Sequence, residues 1–101
     1  MNKAKQDKAR HLLQIGKYSA DEHGRVLSWF NSQCRRREEP LVLKEATLPK
    51  GYRYVSFSHE AKSFSILVHQ VVWLASNNEI PRGLEINHKN ADKADNRIGN
   101  L

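Results

Sequence analysis

The chain of 101 residues has a single cysteine and no long run of apolar residues. Cys34 has no second cysteine with which to form an internal disulfide, and the CxxC pairs of structural zinc sites are absent. No apolar segment approaches the roughly 20 residues that cross a bilayer. The N-terminal residues 1–5 lead into charge rather than into an apolar signal core. We therefore expect a protein of the reducing cytosol that does not act at a membrane.

Acidic residues are in the minority, 11 against 17 Lys and Arg, which gives a net charge of +6 and a pI near 9.7. Such a charge attracts polyanions at neutral pH, so nucleic acid is the leading class of partner. The length suits one domain with a modest core, and neither an internal repeat nor a break in composition divides the chain. We expect a single domain over residues 1–101.

Apolar spacing and turn residues predict a mixed α+β domain, in which a small antiparallel sheet packs against a helix. The alternation of apolar and polar residues over 52–58 is the clearest strand pattern. The predicted elements are a basic, weakly amphipathic helix (3–15), a hairpin (17–30), a surface loop or helix end (33–40), a strand (41–44), a second hairpin (52–58 with 63–68) and a buried helix (69–76).

The C-terminal third combines a helix, a short strand ending in Asn87-His88, and a polar loop with Asp95-Asn96-Arg97 and Asn100-Leu101. Asn and Asp oxygens beside a histidine are suited to a divalent cation and a phosphate. In order and spacing these residues resemble the HNH endonucleases of phages and mobile introns. Upstream, the strand at Gly51-Tyr52 and the helix that begins near His69 follow the order found in that family.

The resemblance implies a DNA endonuclease that hydrolyses phosphodiester bonds with Mg²⁺ or Mn²⁺, encoded by a phage or mobile element and working in the bacterial cytoplasm. His88 is the expected general base, because an imidazole titrates near neutrality and can take a proton from water. Asn87 is the expected metal ligand. Asn100 is expected to complete the catalytic set by holding the loop so that His88 points into the site, while Asp95 and Asn96 brace that loop.

The same resemblance assigns residues 1–40, a basic helix and hairpin, to DNA contact, and residues 41–101 to strands, helix and a partial HNH motif. Phosphate binding needs cations that reach the backbone of the nucleic acid. The predicted DNA contacts are Arg25, Arg35, Arg36, Arg37, Lys89 and Arg97.

Several alternatives stay open at this stage. In the family a further strand and helix follow Asn-Leu, so the ββα-metal motif is expected to be incomplete at the C-terminus. We expect a shortened form of a longer nuclease, whose activity stays open at this stage; a naturally shortened, inactive relative that still binds DNA and a homodimer in which a second subunit completes the site also fit the pattern. A non-catalytic DNA-binding module or regulator is the competing function, and it needs neither Asn87 nor His88. His69 fits packing or capping better than chemistry, and Glu38-Glu39 competes with DNA for the arginine run.

Overall fold

The computed structural model describes residues 3–31, 35–59, 62–77, 86 and 88–101. The strands form two antiparallel three-stranded sheets, β1-β2-β3 and β4-β5-β6. This confirms the α+β class, with two small sheets where one was expected. The elements are α1 (Lys3–Gln14), β1 (Tyr18–Ala20), β2 (Val26–Phe30), β3 (Arg36–Val42), β4 (Ala46–Thr47), β5 (Arg53–His59), β6 (Lys62–Leu67), α2 (Val68–Asn77) and a 3-10 helix (Ile98–Asn100).

The first hairpin forms because Asp21 stabilises the turn between β1 and β2. Its Oδ1 accepts hydrogen bonds from the backbone N–H groups of His23 (3.0 Å) and Arg25 (2.8 Å). Gly24 adopts a φ of +77°, a left-handed conformation that glycine enters without steric cost. The strands then pair antiparallel with Tyr18 opposite Ser28.

The prediction of a surface loop or helix end over 33–40 is wrong from Arg36 onward, because this segment is strand β3. It pairs with the open edge of β2, with an irregularity in register between Ser28 and Phe30. None of its residues is buried, so no apolar alternation marks it as a strand. Pro40 is compatible with this position, since proline is tolerated at the edge of a sheet. The guanidinium of Arg36 lies 4.9 Å from the centre of the Trp29 ring, a cation–π distance.

The second sheet and α2 supply most of the core. In β5 and β6, which pair over six residues, alternation directs Val55, Phe57 and Ile66 inward. Helix α2 follows β6 without a break, and five of its residues are buried: Val68, His69, Val71, Val72 and Leu74. The helix is thus apolar on the face that packs against both β5 and β6.

Contacts of Tyr18 and of two α1 residues join the first sheet and α1 to this core. The Tyr18 ring stacks on Phe57 with centroids 3.9 Å apart, and the Tyr18 hydroxyl accepts a hydrogen bond from the Ser58 N–H at 3.0 Å. Ala9 and Leu12 of α1 are fully buried in the same cluster. Helix α1 is therefore a core helix as well as a basic one. Within the described part of the chain, no helix has the length and apolarity needed to span a membrane.

Candidate active site

His88 is held at one ring nitrogen by a buried asparagine. Its Nε2 lies 2.8 Å from Oδ1 of Asn96, which is only 2% exposed. An amide oxygen can only accept, so Nε2 carries the proton and the neutral ring keeps its lone pair on Nδ1. The contact therefore selects one tautomer and makes Nδ1 the basic atom.

Asn100 ties together the loop that contains Asn96. Its Nδ2 donates to Oδ1 of Asn90 and to the backbone oxygen of Asp95, both at 2.9 Å, and its Oδ1 accepts from the N–H of Asn90 at 3.2 Å. Its backbone oxygen accepts from the N–H of Lys89 at 2.7 Å. The side chain is buried, so these polar atoms depend on each other rather than on water.

Asp95 braces the same loop by pairing with its neighbours. Nε and Nη2 of Arg97 donate to its two carboxylate oxygens at 2.8 and 2.7 Å, and Nδ2 of Asn90 donates at 2.9 Å. The hydrogen bonds from Arg97 are the largest cause that lowers the pKa of Asp95, to about 2. Asp95 is therefore an anion at neutral pH whose charge is already matched by Arg97.

Two aromatic rings that were not among the predicted site residues enclose His88. The His69 ring lies edge-on to His88 with centroids 5.1 Å apart, and Tyr52 lies 5.5 Å from His69 and 6.2 Å from His88. Burial, and then the proximity of His88, lower the pKa of His69 to about 4, so His69 is neutral at pH 7. Its buried Nδ1 has no hydrogen-bond partner among the residues that the structure describes.

The far side of the loop rests on two turns. Nζ of Lys93 donates to the backbone oxygen of Lys50 at 2.8 Å and lies 4.5 Å from the centre of the Tyr52 ring. Gly24 of the first hairpin lies against the backbone of Asn96 and Arg97. These contacts join residues that lie far apart in the chain. The one sequence signal for the contacts of Tyr52 and His69 was the resemblance of Gly51-Tyr52 and the His69 helix to the family.

The predicted metal ligand, Asn87, lies outside the described residues. Among the residues that are described, no group of three or more His, Cys, Asp and Glu side chains could hold a metal ion. The carboxylate of Asp95, which lies in this loop, accepts hydrogen bonds from both Arg97 and Asn90. The metal prediction therefore rests on Asn87.

The structure places the predicted DNA contacts in two groups. Arg25 and Arg97 lie on the segments that meet at Gly24, and each pairs with a carboxylate: Nε of Arg25 bonds Oδ2 of Asp21 at 2.6 Å, and Arg97 bonds Asp95. Lys89, also in this loop, is exposed. The second group flanks and enters β3: Arg35 is exposed, Arg36 stacks on Trp29, and Nε of Arg37 donates to the Phe30 oxygen at 3.4 Å.

Comparison with known proteins finds one family match and one structural match. Residues 67–101 match the family described as HNH endonuclease. The fold is similar to that of the HNH homing endonuclease I-HmuI, whose solved structure is described as showing DNA binding and cleavage, with a TM-score of 0.64 and 22% sequence identity. The match covers 84% of this chain and 44% of the I-HmuI chain, so this chain spans less than half of that protein. Comparison with curated protein sequences finds no match.

The matched segment contains the α2 helix, His88 and the loop closed by Asn100, which are the elements that carry the site described above. Over 84% of the chain, the fold is similar to that of an HNH homing endonuclease. The chain is thus similar to the HNH endonuclease family over residues 67–101 and similar in fold to an HNH homing endonuclease.

Proposed function

We propose that this chain is an HNH-type DNA endonuclease in which His88 is the general base. The observation that carries the proposal is the contact between Nε2 of His88 and Oδ1 of Asn96, which leaves the basic lone pair on Nδ1. The similar protein I-HmuI is described as binding and cleaving DNA. The net charge of +6 supports a polyanionic substrate for this chain as well.

In the proposed reaction, Nδ1 of His88 takes a proton from a water molecule placed in line with the scissile phosphorus. The water oxygen forms a bond to phosphorus, the bond to the 3′ oxygen breaks, and the leaving oxygen takes its proton from solvent. His88 then carries a proton on both nitrogens, and Nε2–H still donates to Asn96, which stabilises the imidazolium. Neutral His69 adds no competing positive charge beside it.

The proposal includes a divalent ion, Mg²⁺ or Mn²⁺, for which Asn87 is the predicted ligand. When bound, such an ion would stabilise negative charge on the phosphate and on the leaving 3′ oxygen. Lys89 and Arg97 are the proposed phosphate contacts in the same loop. Lys89 is exposed, whereas Arg97 would have to share its guanidinium between Asp95 and a phosphate.

The test is nicking of supercoiled plasmid with Mg²⁺ or Mn²⁺ by the wild type and by His88→Ala. We expect the variant to lose at least about 100-fold in nicking rate, the range of a general base, while it keeps its affinity for DNA. The control is His59→Ala, which removes a histidine at the end of β5, outside the site. Nicking by His88→Ala at the wild-type rate would overturn the assignment of the base.

The competing function is a non-catalytic DNA-binding module. It is favoured by the net charge of +6 together with the exposed Arg35 beside β3, because DNA binding through these cations needs neither Asn87 nor His88. It predicts that the wild type binds plasmid in a salt-dependent manner and nicks it with neither ion. The same assay therefore separates the two functions, because only the nuclease produces metal-dependent nicking that disappears with His88.

A further inference from the structure

The turn between β1 and β2 packs directly against the loop that holds His88. Gly24 is buried there, and a Cβ added to it would overlap the carbonyl carbon of Asn96, lie 2.5 Å from its oxygen, and lie 2.7 Å from the N atom of Arg97. All three atoms belong to the backbone, which cannot swing aside as the end of a flexible side chain can. The turn and the 96–97 peptide are therefore in contact with no room for a methyl group.

The turn that makes this contact is itself held in one shape. Asp21 accepts two backbone N–H groups through Oδ1, and its Oδ2 accepts from Nε of Arg25 at 2.6 Å. The N–H of Gly24 donates to the backbone oxygen of Asp21 at 3.1 Å. Local hydrogen bonds of this kind fix the geometry of an Asx turn. The turn thus presents a defined surface to Asn96.

On the other side of that peptide, the Asn96 side chain reaches His88. The Asn96 backbone and its Oδ1 belong to one buried residue, so a shift of the backbone moves the oxygen that accepts from Nε2 of His88. We propose that the β1–β2 turn is a positioning element of the active site, in which Gly24 seats the Asn96 backbone so that Asn96 holds His88 as its Nε2–H tautomer. The positioning of the ring follows from these contacts alone; its value for cleavage rests on the proposed function.

The chain offers a matched control for this proposal. Gly16 has a φ of +79°, almost the same as the +77° of Gly24, but a Cβ at Gly16 would meet only Nη1 of Arg36, at 3.9 Å. Alanine at either position pays the same cost for a left-handed conformation, on the order of 1 kcal/mol. Only Gly24→Ala also pushes on Asn96. A difference between the two variants therefore reports the contact rather than the backbone strain.

The experiment measures the imidazole nitrogen chemical shifts of His88 by NMR in the full chain at neutral pH, assigned by comparison with His88→Gln. We expect the wild type and Gly16→Ala to show the Nε2–H tautomer, and Gly24→Ala to show a mixture of both tautomers. We expect kcat for nicking to fall at least about 10-fold in Gly24→Ala with little change in KM, since the change is at the base rather than in binding. Unchanged His88 signals in folded Gly24→Ala would overturn the proposal.

A second variant decides the matter if Gly24→Ala does not fold. Asp21→Ala removes the hydrogen bonds that hold the turn but adds no atom against Asn96. We expect it to shift His88 toward a mixture of tautomers, and wild-type signals there would reject the positioning role. If no form of the protein nicks DNA but the tautomer still responds to the turn, the nuclease proposal fails and the positioning proposal stands. If His88 is essential for nicking but its NMR signals do not change in the turn variants, the positioning proposal fails and the nuclease proposal stands.

Discussion

Two neighbouring histidines at the site differ in what the protein does to them. His88 is half-buried and bonded at Nε2 to Asn96, so its orientation is set while Nδ1 stays basic. His69 is only 6% exposed, and its Nδ1 has no partner among the described residues. A buried imidazole without a partner is stable only when uncharged. The fold therefore keeps His69 as a neutral ring that packs against His88 and Tyr52.

The neutrality of His69 predicts a loss of stability in mild acid. Its pKa falls from the ordinary value of 6.5 to about 4 on folding, chiefly through burial and then through His88. Between these pH values the unfolded chain binds more protons than the folded chain, so the free energy of unfolding decreases as the pH falls, by up to about 3 kcal/mol. Asp95, whose pKa is lowered to about 2, adds a further loss in the same direction below its ordinary value of 3.8.

Chemical denaturation at several pH values between 7 and 4 measures this effect. The matched variant is His69→Gln, which keeps a polar side chain but does not titrate. We expect its free energy of unfolding to vary less over that range than that of the wild type. The same slope in both proteins would show that His69 is not the group responsible.

Among the elements, α1 shows how a helix that looks basic and weakly amphipathic can still be part of the core. Leu12 is fully buried beside Ala9 and α2, whereas Ile15 just beyond the helix is 54% exposed. We expect Leu12→Ala to lower the free energy of unfolding by about 2–5 kcal/mol, the range for removing a buried leucine. Ile15→Ala is the control and should stay within about 0.5 kcal/mol, as exposed substitutions do.

Thermal and chemical unfolding of the two variants provides the comparison. Equal decreases in the free energy of unfolding would mean that Leu12 is no more buried than Ile15, contrary to the structure. If Leu12→Ala were neutral, α1 would be an appendage for DNA contact alone. The expected result instead shows that α1 stabilises the folded domain through the core, whatever its role in binding.

The sequence predicted an element when that element's own residues carry a periodic pattern of apolar side chains. The β5 strand was predictable because Val55 and Phe57 alternate with polar residues, and α2 because Val71, Val72 and Leu74 share one face. Most of strand β3 was not, since it buries nothing and exists through its pairing with β2; only its last two residues, 41–42, fall within the strand predicted over 41–44. A strand of this kind has no periodicity that a sequence could reveal.

In the site too, residues with a local sequence signal were predictable, and contacts made by tertiary packing were not. His88 and Asn100 were predicted from their order and spacing, and their roles remain predictions for the experiments above. The contacts of His88 with His69 and Tyr52, and of Gly24 with Asn96, arise only when α2, the second sheet and the first hairpin come together. Such contacts depend on tertiary packing between distant segments, and a single sequence carries no direct signal for them.

At the scale of the whole molecule, the loop over 88–101 depends on both sheets. The β1–β2 turn of the first sheet touches it at Asn96, and the turn before β5 of the second sheet holds it through Lys93 and Lys50. The stacking of Tyr18 on Phe57 joins the two sheets beneath it. Because a 3-10 helix is the one regular element in this described segment, the loop keeps its geometry through these supports together with its internal hydrogen bonds at Asn100 and Asp95.

The net charge of +6 predicts that binding to DNA weakens as salt rises, and a pair of lysines can show where that charge acts. Lys89 lies in the loop that also contains His88's partner Asn96, and Lys62 lies at the start of β6, outside the proposed DNA contacts; both are exposed. Changing either to Gln lowers the net charge by one. Only Lys89→Gln should remove a phosphate contact. We therefore expect it to reduce the slope of log K against log salt by about 1, while Lys62→Gln leaves the slope near that of the wild type.

Fluorescence anisotropy with a labelled duplex, between roughly 50 and 200 mM salt, gives both slopes on the intact chain. A matched decrease in the two variants would mean that DNA responds to the overall charge and not to the loop. A decrease confined to Lys89→Gln would place the DNA backbone beside the loop that carries His88. That position is the one required for Nδ1 of His88 to reach a water molecule in line with a phosphate, so the binding measurement bears directly on the proposed chemistry.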